Sequence, residues 1–416
     1  MAVTNYNGGM PIQVTQPELL GRSDSSLTLS FQVQDETGRH VDSAARILLN
    51  GDLHATVDPS TPTRLVRIEG LAPGSNYTLE IEGEHGERAL HDEFFPHEAE
   101  TLPAPTAREA ATFASLNDVH FGEKKIGGVL TEDKEYGDEA PGFPVIRADD
   151  TAIPYPRFMN TDAVTQINAL GVDAAIVKGD IADRGLPEQF QEAGECFGNF
   201  EMPYHALLGN HDYLGEKAGH PADGYALLGQ EPAPRRIEIG GWHLLLLETA
   251  LPGQHHGVFG RDRLDWLEAA LSESSATGAP TLLVMHHQPV PRSHGDSYPN
   301  SIGLRPEDSE LFFEMVGQHA VIRAVLIGHT HRNRVRLYPA SGDVPFAETT
   351  NTKDYPGTFA HYRLFEDGSL HQEVRRIESP RALEHSTRCR GLFRGLYRNF
   401  TMGSLADRSF AVPALA

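Results

Sequence analysis

Gly179-Asp180-Ile181-Ala182-Asp183-Arg184-Gly185 follows, one lysine on, the uninterrupted apolar run Ala174-Ala175-Ile176-Val177. A short run with no polar alternation reads as a strand buried on both faces, and the Gly-Asp pair after it reads as a tight turn. The same texture recurs outward in both directions. Phe113 to Leu116 precedes Asp118-Val119-His120, and Ala206 to Leu208 precedes Gly209-Asn210-His211-Asp212. Leu282 to Met285 precedes His286-His287, and Val325 to Ile327 precedes Gly328-His329-Thr330-His331. Leu244 to Leu247 is a further run of this kind. Helical spacing lies between the runs, at Val164, Ile167 and Leu170 before Gly171, and at Leu264, Leu267 and Leu271. Alternating buried strands and helices predict a layered α/β domain of about 280 residues.

In open α/β sheets, ligands bind beyond the carboxyl ends of the strands. Each of the five motifs sits at such an end, and each supplies carboxylate or amide oxygen or imidazole nitrogen, never sulfur. Taken singly they are ordinary. Asp-x-His can be a turn, Gly-Asp a loop, and a lone histidine usually holds no metal. An i, i+2 histidine pair on extended chain, as in Gly-His-Thr-His, can aim two rings at neighbouring ions. Five such motifs at five strand ends point together to one metal-binding crevice.

Composition bounds the partners. With 35 Lys plus Arg against 58 Asp plus Glu, the formal charge is −23, which argues against non-specific nucleic-acid or anionic-membrane binding. A phosphate-handling site in such a chain must create its own positive charge. Cys196 and Cys389 are the two cysteines, too few for a disulfide framework or a thiolate cluster. The start of the chain shows no basic-then-apolar leader, and no stretch approaches 18 apolar residues, so the expected location is cytoplasmic, away from membranes.

Three segments are expected. Residues 1–105 read as a small all-β sandwich: Leu27, Leu29, Phe31 and Val33 alternate with polar residues, and Leu71 to Tyr77 resembles the tyrosine corner of fibronectin type III domains. Thr101 to Pro105 reads as a linker. Residues 106–380 form the α/β domain, within which the Gly- and Pro-punctuated, acidic stretch 121–157 would be a lid or a cleft wall. Residues 381–416 form an amphipathic tail. Its Cys389, Leu392, Phe393, Leu396, Tyr397 and Phe400 fall at helical spacing, as a terminal helix docked on its own body would have them.

The order Asp-x-His, Gly-Asp-x-x-Asp, Gly-Asn-His-Asp, His-His and Gly-His-x-His resembles the calcineurin-like metallophosphoesterase superfamily over roughly residues 112–335. The stretch Pro252 to Gly257, followed by Leu264-Asp265-Trp266-Leu267, is similar to the cyclic-nucleotide phosphodiesterase and glycerophosphodiesterase branch. The resemblance implies a four-layer α-β-β-α sandwich. It also implies two divalent or mixed-valence transition-metal ions (Fe, Mn or Zn), with Asp118, His120 and His331 on one, Asn210, His286 and His329 on the other, and Asp180 bridging. A metal-bridging hydroxide then attacks a phosphate ester in line. By the same resemblance His211 faces the phosphoryl group and protonates the leaving oxygen, and Asp183 orients its imidazole. His287 is expected to support the site without ligating, and Asp212 to partner His211 or cap a turn. Arg184 is a candidate phosphate grip alongside His211 and Asn210, with a surface ion pair as the rival reading.

The implied substrate is a small phosphodiester such as a cyclic nucleotide. The alternatives are a phosphomonoesterase, phosphoprotein phosphatases included, and a scaffolding protein acting through its β-module. Self-association through that module or through the terminal helix is a further expectation.

Overall fold

A computed structural model describes residues 12–59, 61–131, 134–217, 219 and 222–415. Contacts divide the chain into two compact units, Met1–Ala104 and Pro105–Ala416.

Among its described residues the first unit holds seven strands, β1 (Ile12–Arg22), β2 (Ser26–Asp35), β3 (Ala45–Leu49), β4 (Asp52–Val57), β5 (Thr63–Glu69), β6 (Asn76–Gly83) and β7 (Glu98–Glu100). They form two antiparallel sheets, ordered β1-β2-β5 and β4-β3-β6-β7. Leu27, Leu29, Phe31, Val33, Ile47, Leu79 and Ile81 are buried between them. The Tyr77 hydroxyl accepts the Ala72 N–H at 2.8 Å, tying the turn before β6 to the strand itself. One expectation changes. β2 is buried along nearly its whole length rather than at alternate residues, and its polar side chains find partners there: Gln32 Nε2 donates to Thr63 Oγ1 at 2.9 Å.

The second unit contains β8 (Glu109–Leu116), β9 (Ala174–Lys178), β10 (Tyr204–Leu207), β11 (Arg235–Ile239), β12 (Trp242–Leu247) and β13 (Thr281–Met285). It continues with β14 (Ile322–Ile327), β15 (Arg334–Arg336), β16 (Phe346–Glu348), β17 (Thr358–Phe365), β18 (Leu370–Arg376) and β19 (Ser409–Val412). Its longer helices are α1 (Tyr155–Leu170), α2 (Pro187–Phe197), α3 (Arg261–Thr277), α4 (Pro306–Gln318) and α5 (Pro380–Arg390). Two six-stranded sheets result, ordered β10-β9-β8-β17-β18-β19 and β11-β12-β13-β14-β16-β15.

The unbroken apolar runs are explained by where alternate side chains go. Leu244, Leu246, Leu282, Val284, Ala324 and Leu326 enter a core shared with Phe113, Ile176 and Tyr362 of the other sheet. Their neighbours Leu245, Leu247, Leu283, Met285, Val325 and Ile327 pack on the far side against Leu267 and Leu271 of α3 and Phe312 and Phe313 of α4. On the first sheet α1 is fastened by Gln166 Nε2 to the Arg376 carbonyl at 3.1 Å and by Asn160 Nδ2 to the Val119 carbonyl at 2.9 Å. The architecture is the four-layer α-β-β-α sandwich.

The tail departs from one terminal helix. α5 stops at Arg390, and Phe393 and Arg394 take left-handed conformations (φ 52° and 59°) between Gly391 and Gly395 before a short helix, Leu396–Thr401. Two consecutive left-handed residues cannot continue an α-helix, so the apolar spacing is split around a kink. The chain then returns as β19, paired antiparallel with β18.

Candidate metal centre

β8, β9 and β10 run parallel, as do β12, β13, β14 and β16, so their carboxyl ends come out at one edge of the sandwich. The five motifs leave from the ends of β8, β9, β10, β13 and β14. Hydrogen bonds stitch the two sheets together there. His286 Nδ1 donates to the Lys178 carbonyl at 2.8 Å, and the His329 backbone N–H donates to Asp118 Oδ2, also at 2.8 Å.

Backbone geometry marks the same residues. Among the described residues nine non-glycine positions have positive φ, and five of them are Asp118, His120, Asp180, His329 and His331. Left-handed backbone costs energy outside glycine and concentrates where function requires a side chain to be aimed. Here it turns three of the five motifs, those of Asp118 and His120, of Asp180, and of His329 and His331, sharply at their strand ends. The preceding glycines provide room. A Cβ on Gly179 would lie 2.5 Å from His286 Nδ1, and one on Gly209 would overlap Asp180 Oδ1.

The seven expected ligands are brought together. Asp180 Oδ1 is 3.2 Å from His286 Nε2, and its Oδ2 is 3.7 Å from His120 Nε2. Asp118 Oδ1 is 3.3 Å from His331 Nε2, and His286 Nε2 is 3.2 Å from both Asn210 Oδ1 and His329 Nδ1. Asp118, Asp180, His120, Asn210 and His286 are almost wholly buried. His120, Asp180, Asn210, His211, His329 and His331 line one cavity of about 520 Å³.

The electrostatics describe a site short of positive charge. Burial alone would raise Asp118, yet His331 and His286 hold its carboxyl well below the usual range. Burial would lower His286, but Asp180 and Asp118 push it up to about 9. Burial and the His286 charge then press His329 down to about 3, and burial lowers His287 as well. His120 Nε2 is buried without a hydrogen-bond partner among the described residues, and the buried Asp118 Oδ1 faces His331 Nε2 at 3.3 Å. Groupings such as Asp118, His120 and His331, or Asp118, Asp180 and His286, bring their donor atoms within 4.8 Å of one another. Lone pairs converging among carboxylate and imidazole donors suit divalent transition metals.

The remaining expected residues fall out differently. His211 lines the cavity; its backbone N–H donates to Asp180 Oδ1 at 2.9 Å and its Nδ1 meets the Asp183 carbonyl oxygen at 2.8 Å. The Asp183 carboxylate reaches His120 Nδ1 at 3.3 Å and Arg184 Nε at 3.4 Å. Orientation of His211 thus involves the Asp183 main chain, while the Asp183 side chain steadies His120. Arg184 is part-exposed and is not among the described residues lining the cavity. Asp212 acts as a cap, accepting from the backbone N–H groups of Ile181, Ala182 and Gly209 at 2.7–2.9 Å. His287 Nδ1 sits 2.8 Å from Thr249 Oγ1, behind His286.

Other residues join the cavity without a motif. Lys125, Ile126, Gly127 and Gly137 make stretch 121–157 one of its walls, although residues 132 and 133 lie outside the described residues. Lys353 and Glu123 also line it, with Nζ 2.8 Å from Glu123 Oε1 and 3.2 Å from Asp354 Oδ2. Position soon after the last motif was the available signal for Lys353, and proximity to His120 that for Glu123. His255, Tyr298, Ile302 and the tail residues Phe393, Leu396, Tyr397 and Phe400 also line it.

The family model described as calcineurin-like phosphoesterase matches residues 111–333, more than half of the chain. A probable cyclic nucleotide phosphodiesterase of Synechococcus is 28% identical over 212 residues, covering 50% of this chain and 78% of that protein. The glycerophosphodiester phosphodiesterase GpdQ of Enterobacter lignolyticus is 30% identical over 183 residues, 43% of this chain and 64% of that one. The 3',5'-cyclic adenosine monophosphate phosphodiesterase CpdA of Pseudomonas aeruginosa is 28% identical over 219 residues, 50% and 75% respectively. With the motifs, the four-layer sandwich and this match in agreement, the chain belongs to the calcineurin-like phosphoesterase family and is a metal-dependent phosphoesterase.

Proposed function

We propose that the cavity hydrolyses a small phosphodiester, and that Asp118, His120 and His331 hold one ion, Asn210, His286 and His329 a second, and Asp180 both. The carrying observation is the convergence of these seven side chains on one cluster, five of them lining the cavity and Asp118 and His286 buried just behind it, with left-handed backbone at five of the seven. Fe, Mn and Zn all suit this donor set. When bound, two such ions supply Lewis acidity and activate water near neutral pH.

The chain's own residues do the rest. Asp118 and Asp180 stay ionised and balance part of the metal charge, leaving a net attraction for phosphate inside an acidic protein. His211 donates its Nδ1–H to the Asp183 carbonyl, which fixes the ring and leaves Nε2 as the nitrogen that, when the ring is doubly protonated, would give its proton to the leaving oxygen. Asp212 holds the Asp180 and Asn210 turns in register through three backbone N–H groups.

The preference for a diester leans on the relatives, described as cyclic nucleotide and glycerophosphodiester phosphodiesterases. The strand order of the first unit and the Tyr77–Ala72 bond support reading residues 1–105 as a fibronectin type III-like module. The test is turnover of bis(4-nitrophenyl) phosphate beside 4-nitrophenyl phosphate, after chelation and readdition of Mn, Zn or Fe, with Asn210→Ala as control. Metal-restored diester turnover that the variant lacks is expected. Equal or faster monoester turnover would overturn the diester reading.

A further inference from the structure

The tail bends into the site. Beyond the span matched by the family model, the kink at Phe393 and Arg394 and the short helix Leu396–Thr401 bring Phe393, Leu396 and Phe400 to the cavity that the metal-centre residues line. They meet Tyr298 and Ile302 from the loop after His286-His287, and Ile126 from the wall stretch. None of these six apolar side chains is buried; Leu396 and Tyr298 are each 66% exposed.

The arrangement is held firmly. The Asn333 N–H, two residues past His331, donates to the Thr401 carbonyl at 2.8 Å, and the Tyr397 hydroxyl donates to Asp354 Oδ1 at 2.9 Å. The Arg332 guanidinium lies 5.6 Å from the Phe400 ring centre, and the Tyr298 and Phe400 rings are near-parallel at 6.2 Å. Exposed apolar groups gathered from three chain segments around a catalytic pocket are surface that a ligand covers. A cavity of about 520 Å³ is far larger than a phosphate group needs and is within the range of sites for organic ligands.

We propose that the tail builds a subsite for an aromatic group, so that the substrate is a phosphoester carrying an aromatic ring on the organic side of its phosphate. Three of the six residues are aromatic, and rings offer faces and edges on which a flat group gains more than its area alone. This rests on the phosphoesterase reading, since it assumes that the metal side of the cavity holds the phosphate.

The test is calorimetric titration of the manganese-loaded full chain with phenylphosphonate and with methylphosphonate, which share the anionic head and differ in one group. Phenylphosphonate is expected to bind at least tenfold more tightly. Leu396→Ser, at an exposed position where folding is not at stake, and Phe400→Ala should each reduce that ratio at least threefold. Equal affinities for the two phosphonates, or a ratio unmoved in both variants, would overturn the subsite. Failure of both phosphonates to bind, together with no hydrolysis of any ester, would instead remove the phosphoesterase reading and the subsite with it.

Discussion

His120 Nδ1 lies 3.3 Å from Asp183 Oδ1, inside a pocket where both side chains are almost wholly buried. The contact leaves His120 Nε2 as the nitrogen directed towards Asp180. A carboxylate behind a ligating imidazole fixes its orientation and strengthens it as a donor. Asp183→Asn is therefore expected to weaken metal binding about 10–100-fold while the fold is kept. Titrating the metal-free protein with Mn and Zn checks this, and an unchanged affinity would assign Asp183 to its turn alone.

His211 is expected to act on the leaving group. With an alkoxide leaving group, His211→Gln should lower kcat by about 10²–10⁴, the usual contribution of a general acid. With 4-nitrophenolate, which departs without a proton near neutral pH, the loss should be much smaller. Steady-state rates on a pair of diesters differing in leaving-group basicity make the comparison. Equal losses on both would point to a positioning role, through the ring's bond to the Asp183 carbonyl.

Gly209 has no room for a side chain: an added Cβ would overlap Asp180 Oδ1 and lie 2.5 Å from the Asp180 backbone nitrogen. One of these two turns must shift in Gly209→Ala, and both carry expected ligands. Overpacking of this kind costs roughly 1–3 kcal/mol. The variant should show a lower urea midpoint and fewer than two bound ions per chain by elemental analysis. Wild-type metal content would mean that the Asp180 turn yields without disturbing the site.

The metal side of the site was legible in the sequence because its physics is local. A strand buried on both faces has no polar interruption, so Asp180 or His329 just after such a run stands out against it. The aromatic side was not legible. Phe393, Leu396 and Phe400 have the spacing of a helix packed on a core, and only the left-handed turn at Phe393 and Arg394 redirects them. Asp183 shows a third kind of limit. Its motif placed it in the pocket, but whether its carboxylate or its carbonyl meets His211 depends on how two loops cross. Arg184, beside it, turns to the edge of the site for the same reason.

His385 predicts how the metal-free protein responds to acid. It sits on α5, buried, with its ring stacked on Tyr155 at 4.7 Å and its Nε2 2.9 Å from the Lys353 carbonyl. Burial, the largest influence, pushes its pKa down to about 4, although the Lys353 carbonyl and Asp354 pull the other way. The unfolded chain titrates this group near 6.5, so between about pH 6.5 and 4 the unfolded state binds the extra proton. Stability therefore rises with pH across that window, and acidification from 7 to 4 should cost on the order of 1–3 kcal/mol through this residue. His385→Gln should be less stable at pH 7, having lost ring packing, yet show a shallower decline below 6.5. Urea unfolding of both proteins at pH 7, 5.5 and 4 with chelator present reads the difference. Parallel declines would assign the acid sensitivity to other groups, with the clustered imidazoles and carboxylates of the metal centre first among them.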